Sequence, residues 1–259
     1  MAYETLLLER EDGFAVVTLN RPPANAISAQ LVVDLEAAVA ELVADAAVRA
    51  LVITGAGDRI FCGGADLGSA FGGAAGDVEA FLRRGTALLR RIETLPKPVI
   101  AAIQGHATGG GCEIAMACHL RVMKETARIG QTESNLGIIP GYGGTQRLPR
   151  LIGRTKALEY LLLGTQIPAA EALALGLVNR LAKEGETLAE AKALARTLAK
   201  RAPIATRLIL ECVDRGLDGP IEPGLDAEVR AFLEVLKTED AAEGIQAFFA
   251  KRPPEFRGT

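Results

Sequence analysis

The segment Thr108-Gly109-Gly110-Gly111-Cys112-Glu113 sets three consecutive glycines directly before an apolar run, Ile114-Ala115-Met116-Ala117. Without side chains, that backbone can approach a neighbouring strand or a ligand closely. The apolar run reads as a buried helix. The glycines then fall at its N-terminus, where orphan N–H groups and the dipole favour negative charge. Glu113 lies in the first turn, where the same field is expected to favour its ionised form. A second carboxylate, Glu133, follows in Gly130-Gln131-Thr132-Glu133. Donor N–H groups beside carboxylates suit chemistry in which an oxyanion develops while a proton moves.

A related pattern lies upstream, where Phe61-Cys62-Gly63-Gly64-Ala65-Asp66-Leu67 follows a predicted strand. Two strand ends of a parallel sheet can each aim a backbone N–H at one point beyond their carboxyl edge. Two such donors make an oxyanion hole. The rest of the chain supports a sheet of this kind. Tyr3–Glu9 and Phe14–Leu19 read as strands around Asp12-Gly13, and Ala50–Thr54 as a buried strand. Ser28 caps a helix whose apolar positions, Leu31, Val32, Leu35, Val39 and Leu42, keep helical spacing. A glycine-rich loop spans Cys62 to Gly76, ahead of a helix from about Asp77 to Thr94. Pro96 and Pro98 end that helix and launch the strand Val99–Gln104. The repeated strand, strand, helix order predicts a parallel sheet covered by helices. Further on, Pro140-Gly141-Tyr142-Gly143-Gly144 reads as a backbone-exposing loop, Arg154–Leu163 and Pro168–Leu175 as helices, and Leu177–Leu181 as a short strand. From Thr187 onward the periodicity is helical, interrupted at Pro203 and around Gly219-Pro220. A mixed core to about residue 200 and a helical C-terminal section are expected.

Composition excludes several classes. The 259 residues suffice for one large α/β domain or a core with an appendage. Aromatic residues are 4% and tryptophan is absent, so the core must be aliphatic. A net charge of −3 argues against a dedicated nucleic-acid surface. No apolar run reaches the roughly 18–20 residues of a spanning helix, and Met1–Thr5 lacks the features of a signal peptide. Cys62, Cys112, Cys118 and Cys212 are scattered without a CxxC pair, which points to reduced thiols and a cytoplasmic setting. With only His106 and His119, a histidine-built metal site is not expected.

Taken singly, each feature has an ordinary reading. Gly109–Gly111 would allow tight helix–strand packing, Glu113 would answer the helix dipole, and Glu133 would be a solvated loop carboxylate or a cap. Asp66 would cap the next turn. Lys251 beside Arg252 would be a solvated charge cluster, and Phe232, at helical spacing from Leu236, would be core.

Taken together and in order, they resemble one family over essentially the whole length. Asn20-Arg21-Pro22, Phe61–Leu67, Lys97-Pro98-Val99-Ile100-Ala101-Ala102, Gly109–Glu113 and Pro140-Gly141-Tyr142-Gly143-Gly144-Thr145-Gln146-Arg147-Leu148 are similar to the enoyl-CoA hydratase/isomerase (crotonase) family. The resemblance implies an α/β, ClpP/crotonase-like spiral of strand–strand–helix units. Residues 1–200 would form the core with the acyl-CoA site. Residues 201–259 would form a helical region for trimerisation and for CoA contacts to a neighbouring subunit, with two trimers stacked as a homohexamer. It further implies that the N–H groups of Ala65 and Gly110 hold the thioester oxygen, and that Glu113 and Glu133 manage a water molecule. Glu113 would act as base toward water and Glu133 as proton donor to the α-carbon. Gly141 would offer a further water contact. CoA would meet Ala65, Asp66, Leu67, Phe232 and Lys251, and residues Gly68–Gly76 would border the acyl pocket.

The implied activity is that of a carbon–oxygen lyase, reversible hydration of a trans-2-enoyl-CoA to a 3-hydroxyacyl-CoA, as in fatty-acid β-oxidation. CoA would enter as substrate, with no metal or redox cofactor, no nucleic acid and no membrane. Two glutamates favour hydration over isomerisation, which often manages with one carboxylate. An enoyl-CoA isomerase, another acyl-CoA lyase or hydrolase, and a noncatalytic acyl-CoA- or RNA-binding relative are the alternatives. The chain departs from the family in three places. Thr132 stands where many hydratases have proline, His119 where aspartate is common, and Pro23-Ala24-Asn25-Ala26 forms a shortened loop. By this resemblance, the His119 replacement would remove a structural ion pair.

Overall fold

A computed structural model describes residues 3–68 and 75–259, without the side chains of Ala75 and Gly76. The expectation for the loop Gly68–Gly76 therefore falls almost wholly outside the described residues. In chain order the first elements are β1 (Leu6–Glu11), β2 (Phe14–Leu19), α1 (Ala29–Ala44), β3 (Ala50–Gly55), β4 (Ile60–Cys62) and α2 (Ala75–Glu93). They are followed by β5 (Val99–Ile103), β6 (His106–Thr108), α3 (Gly110–Ala117), β7 (Leu120–Lys124) and β8 (Arg128–Gly130). A 3-10 turn, Glu133–Leu136, leads to α4 (Gly144–Ile152), α5 (Arg154–Leu163), β9 (Ile167–Pro168), α6 (Ala169–Ala174) and β10 (Arg180–Ala182). The chain closes with α7 (Thr187–Ala199), α8 (Pro203–Leu217), α9 (Ile221–Val235) and α10 (Glu239–Phe249).

The strands form two sheets where the sequence reading had one. A six-stranded sheet runs β1-β2-β3-β5-β7-β10, parallel except for the β1–β2 hairpin. A four-stranded sheet runs β4-β6-β8-β9, its first three strands parallel. Strands β4, β6 and β8 have three residues each, too few to show a period in sequence. Elsewhere the boundaries shift: the first strand starts at Leu6, and the strand expected at Leu177–Leu181 begins at Arg180.

Alternation along the large sheet divides its side chains between two cores. Ala15, Val17, Leu19, Leu51, Ile53, Ala101, Ile103 and Met123 face α1, α2 and α3. Phe14, Val16, Val52, Ile100, Ala102 and Val122 face α7, which meets them with Ala191 and Ala195. Burying one branched aliphatic side chain stabilises by roughly 1.5–3 kcal/mol, so register is strongly specified, because a one-residue slip would exchange the faces.

Two buried polar anchors fix the front of the molecule. Asp34 accepts from the Thr5 amide and hydroxyl, both at 2.8 Å, tying α1 to the entry of β1. The shortened loop holds Asn25 at φ 51°, a region asparagine tolerates. Its amide donates to the carbonyls of Ala56 and Ile60 at 3.0 Å, while Gly63 N–H donates to Ala24 at 2.8 Å. Both contacts pin the glycine loop that follows β4.

Candidate active site

The three parallel strands of the small sheet deliver the candidate residues side by side. Gly63-Gly64-Ala65 follows β4, Gly109-Gly110 follows β6, and Gln131 to Glu133 follows β8. All three segments leave the same carboxyl edge, where α/β sheets gather ligand-binding groups. Ala65 forms a parallel bridge with Ile27. In that bridge the Ile27 N–H donates to Gly64 and the Asp66 N–H to Ile27, at 2.8 and 2.9 Å. The Ala65 N–H therefore points the opposite way, toward α3. Gly110 opens α3, so its N–H has no acceptor within the helix. A Cβ added to Gly110 would lie 3.4 Å from the Ala65 nitrogen, and one on Gly64 would lie 3.4 Å from the Gly110 nitrogen. The glycines thus let two backbone donors converge on one small space.

Glu113 sits one turn further along α3 and is 1% exposed. Its Oε1 accepts from the amides of Tyr142 and Gly144, both at 2.7 Å. Burial pushes its carboxyl up to about 7, with the nearby Glu133 adding to the rise and the two amides and Arg147 opposing it. Burial here works against the first-turn field, which favours the ionised form. Removing a carboxylate from water outweighs a first-turn dipole.

Glu133 starts the 3-10 turn and is half-buried; burial raises its carboxyl as well. With the amide nitrogen of Gln131 turned toward it, Gln131 donates to both Glu133 oxygens at 3.0 Å. A carboxamide can serve either protonation state here, donating to a carboxylate or accepting from an acid. Gly109, at φ +53°, brings its backbone so close that a Cβ would lie 2.9 Å from Glu133 Oε1. The ordinary reading of Glu133 as a solvated loop carboxylate is therefore overturned.

Comparison with known proteins agrees with this geometry. The profile described as "Enoyl-CoA hydratase/isomerase" matches residues 9–259. The chain belongs to the enoyl-CoA hydratase/isomerase family. Among its relatives, a "Probable enoyl-CoA hydratase" of Bacillus subtilis is 46% identical over 94% of this chain and 95% of the other. A "Short-chain-enoyl-CoA hydratase" of Clostridium acetobutylicum is 40% identical over 98% of both chains. The crystal structure of an enoyl-CoA hydratase from Bacillus anthracis superposes with a TM-score of 0.96 at 38% identity, covering 99% of this chain and 100% of that one. The spiral α/β core with a helical C-terminal region is thus the crotonase fold.

The remaining candidates lie around this centre or apart from it. Gly141 precedes the residue whose amide grips Glu113, and its own carbonyl accepts from the Thr86 hydroxyl at 3.3 Å. Asp66 pairs with Arg21 at 2.5 Å, and Leu67 is exposed beside it. Phe232 on α9 is 62% exposed, so within one chain it is not core. Lys251 follows α10 with φ 53° and is exposed, while its neighbour Arg252 is engaged with Glu243 at 2.6 Å. Among the described residues, neither Phe232 nor Lys251 is hydrogen-bonded or ion-paired to Ala65, Gly110, Glu113 or Glu133. At the departure site, His119 Nδ1 accepts from the Val99 amide at 2.9 Å, and burial pushes the imidazole down to about 4. The neighbouring Arg121 is held by the carbonyls of Leu177, Ala115 and Cys118, with no ion pair among the described residues.

Several contributors escaped the reading of residue types. Gln131, Tyr142, Gly144 and Arg147 were visible only as parts of motifs, and Glu93 not at all. Two of them act through backbone N–H groups, which any residue except proline carries. The one available signal was the Pro140–Gly144 run, read as a loop; it is a loop as far as Gly143, and α4 begins at Gly144. A cavity of about 770 Å³ lies elsewhere, between α8 and the core; Arg147 and Glu93 line it, and neither glutamate of the site does.

Proposed function

We propose that this protein catalyses reversible hydration of a trans-2-enoyl-CoA to a 3-hydroxyacyl-CoA. The observation that carries the reading is the convergence of two free backbone donors, from Ala65 and Gly110, beside two carboxyl groups whose affinity for protons burial has raised. The thioester oxygen would sit between the two N–H groups, which stabilise the enolate as water adds. Ionised Glu113 removes a proton from water, and the water oxygen bonds to the β-carbon. The electron pair of the double bond moves onto the thioester, and protonated Glu133 delivers a proton to the α-carbon. The return direction exchanges the two roles. No electron acceptor enters this scheme, so we assign neither metal nor redox cofactor. Gly141 N–H is assigned to the water, and Ala65, Asp66 and Leu67 to the nucleotide end of CoA.

Phe232 and Lys251 are assigned to CoA held mainly by a neighbouring subunit, which is consistent with their exposure in a single chain. Exposed Phe232, Leu233, Leu236, Ile245, Phe248 and Phe249 support a role for the C-terminal helices in association. We read the assembly as two stacked trimers. Among the described residues no helix is long and apolar enough to cross a membrane. All four cysteines are free, which supports a reducing, cytoplasmic setting. The decisive experiment offers the enzyme a panel of 2-enoyl- and 3-enoyl-CoAs and resolves products by mass. Gain of one water from the 2-enoyl thioesters is the expected result. Isomerisation without water gain, or release of free CoA, would overturn it.

A further inference from the structure

Arg147 lies in the first turns of α4, buried at 8% exposure. Its Nε and Nη2 donate to the two oxygens of Glu93, at the end of α2, at 3.0 and 2.9 Å. Such a two-pronged pair fixes direction as well as distance. The remaining nitrogen, Nη1, donates to the Tyr142 carbonyl at 2.7 Å. On the other side of that residue, the Tyr142 N–H grips Glu113 Oε1, as does the Gly144 N–H. Gly143, between them, has φ +99°, and a Cβ there would lie 2.4 Å from Nη1. The turn is folded around the guanidinium. Oε1 of Glu113 is thereby saturated, while Oε2 takes no hydrogen bond among the described residues.

We propose that Arg147, locked by Glu93, is a positioning residue that sets the Tyr142–Gly144 turn so that Glu113 presents its second oxygen to the reacting water. The inference rests on the hydratase role assigned to Glu113. Lysine could not substitute, because a point charge cannot hold both Glu93 oxygens and a carbonyl at once. The charge of Arg147 also acts on Glu113 directly. The titratable groups facing Glu113 are Glu133, Arg147, the Tyr142 phenol and the Cys112 thiol. Those facing Glu93 are Arg147, Arg90, His119 and Asp214. Arg147 is a cation that favours the ionised form of Glu113, so its removal should make that carboxyl hold its proton to higher pH.

The test is kcat and KM against pH for the wild type, Arg147→Gln and Arg147→Lys with a short 2-enoyl-CoA. Arg147→Gln should move the acid limb of kcat/KM upward by about half a pH unit or more, and lower kcat at neutral pH about tenfold or more with little change in KM. Arg147→Lys, which keeps the charge and loses the fork, should leave the limb near its wild-type position while kcat still falls. A folded Arg147→Gln with an unmoved limb overturns the proposal. Should that variant fail to fold, a wild-type kcat in Arg147→Lys overturns it instead. If the wild type lacks hydratase activity, the assigned reaction fails. The clamp is then judged by infrared titration of the Glu113 carboxyl, which Arg147→Gln must still shift upward.

Discussion

The carboxyl group of Glu113 stands between two opposing influences, a helix N-terminus that favours charge and a buried setting that disfavours it. Burial prevails and pushes the group up to about 7 from an ordinary value of 4.5. A carboxyl raised in the folded state binds its proton there more tightly than in the unfolded chain. Stability is therefore lost as pH rises from the unfolded value to the folded one, with the full penalty, on the order of 3 kcal/mol, present above it. Glu113→Gln removes this penalty while its amide oxygen can still accept from Tyr142 and Gly144. Thermal melts should show the variant gaining on the wild type between pH 5 and pH 8; a constant difference would refute the assignment. The same substitution should cost about a hundredfold or more in kcat, as should Glu133→Gln, because each removes one proton transfer from the transition state. Wild-type turnover in either variant would refute its role. Both glutamates were legible as residue types in the sequence. Their protonation was not, since it depends on how much water the fold excludes.

Three strand ends and one helix start make the element that matters most. Gly110 and Gly111 are adjacent in sequence yet meet different neighbours. A Cβ on Gly110 would lie 2.7 Å from the mobile end of Ile27, whereas one on Gly111 would lie 2.0 Å from the Cys62 carbonyl oxygen. A side-chain tip can turn aside; the backbone of β4 cannot. Gly110→Ala should therefore fold with modest loss and lower kcat by about a hundredfold or more, as the crowded donor loses its line to the thioester. Gly111→Ala should lose about 3 kcal/mol of stability or more, read by denaturant unfolding. Equal behaviour of the two variants would contradict the arrangement. The long helices were legible because their apolar spacing repeats; α5 falls at Arg154–Leu163, as the spacing predicts. The α4 helix was not read from the sequence, because it starts at Gly144 directly after a glycine loop and carries Pro149 inside it. The small sheet was missed because its pairing lies between segments far apart in the chain.

At the scale of the whole molecule, the C-terminal helices expose an apolar surface of the kind that marks interaction sites. Phe248 and Phe249 are each 78% exposed, packed edge to face on one another. If these helices join copies, the particle mass by light scattering should be about six times the 27.2 kDa of one chain. Phe248→Asp with Phe249→Asp should shift it toward smaller species. An unchanged monomeric mass in the wild type would refute assembly through this face. Lys251 supplies an independent check. Lys251→Ala should raise KM for an acyl-CoA severalfold and leave KM unchanged for the matching acyl-pantetheine, which lacks the nucleotide phosphates; equal effects on both would remove it from the CoA site.

The order of residues by itself determined the family, the aliphatic core, the capped and periodic helices, and the presence of two glutamates and two glycine-rich turns. These are properties of local composition and spacing, and they persist in any conformation of the chain. Only the tertiary structure decided that β4, β6 and β8 end at one edge, that Glu113 is dry enough to hold its proton near neutrality, and that Arg147 reaches it through Tyr142. Convergence, solvent exclusion and a shared guanidinium depend on distances between residues remote in sequence, and those distances exist only once the chain is packed.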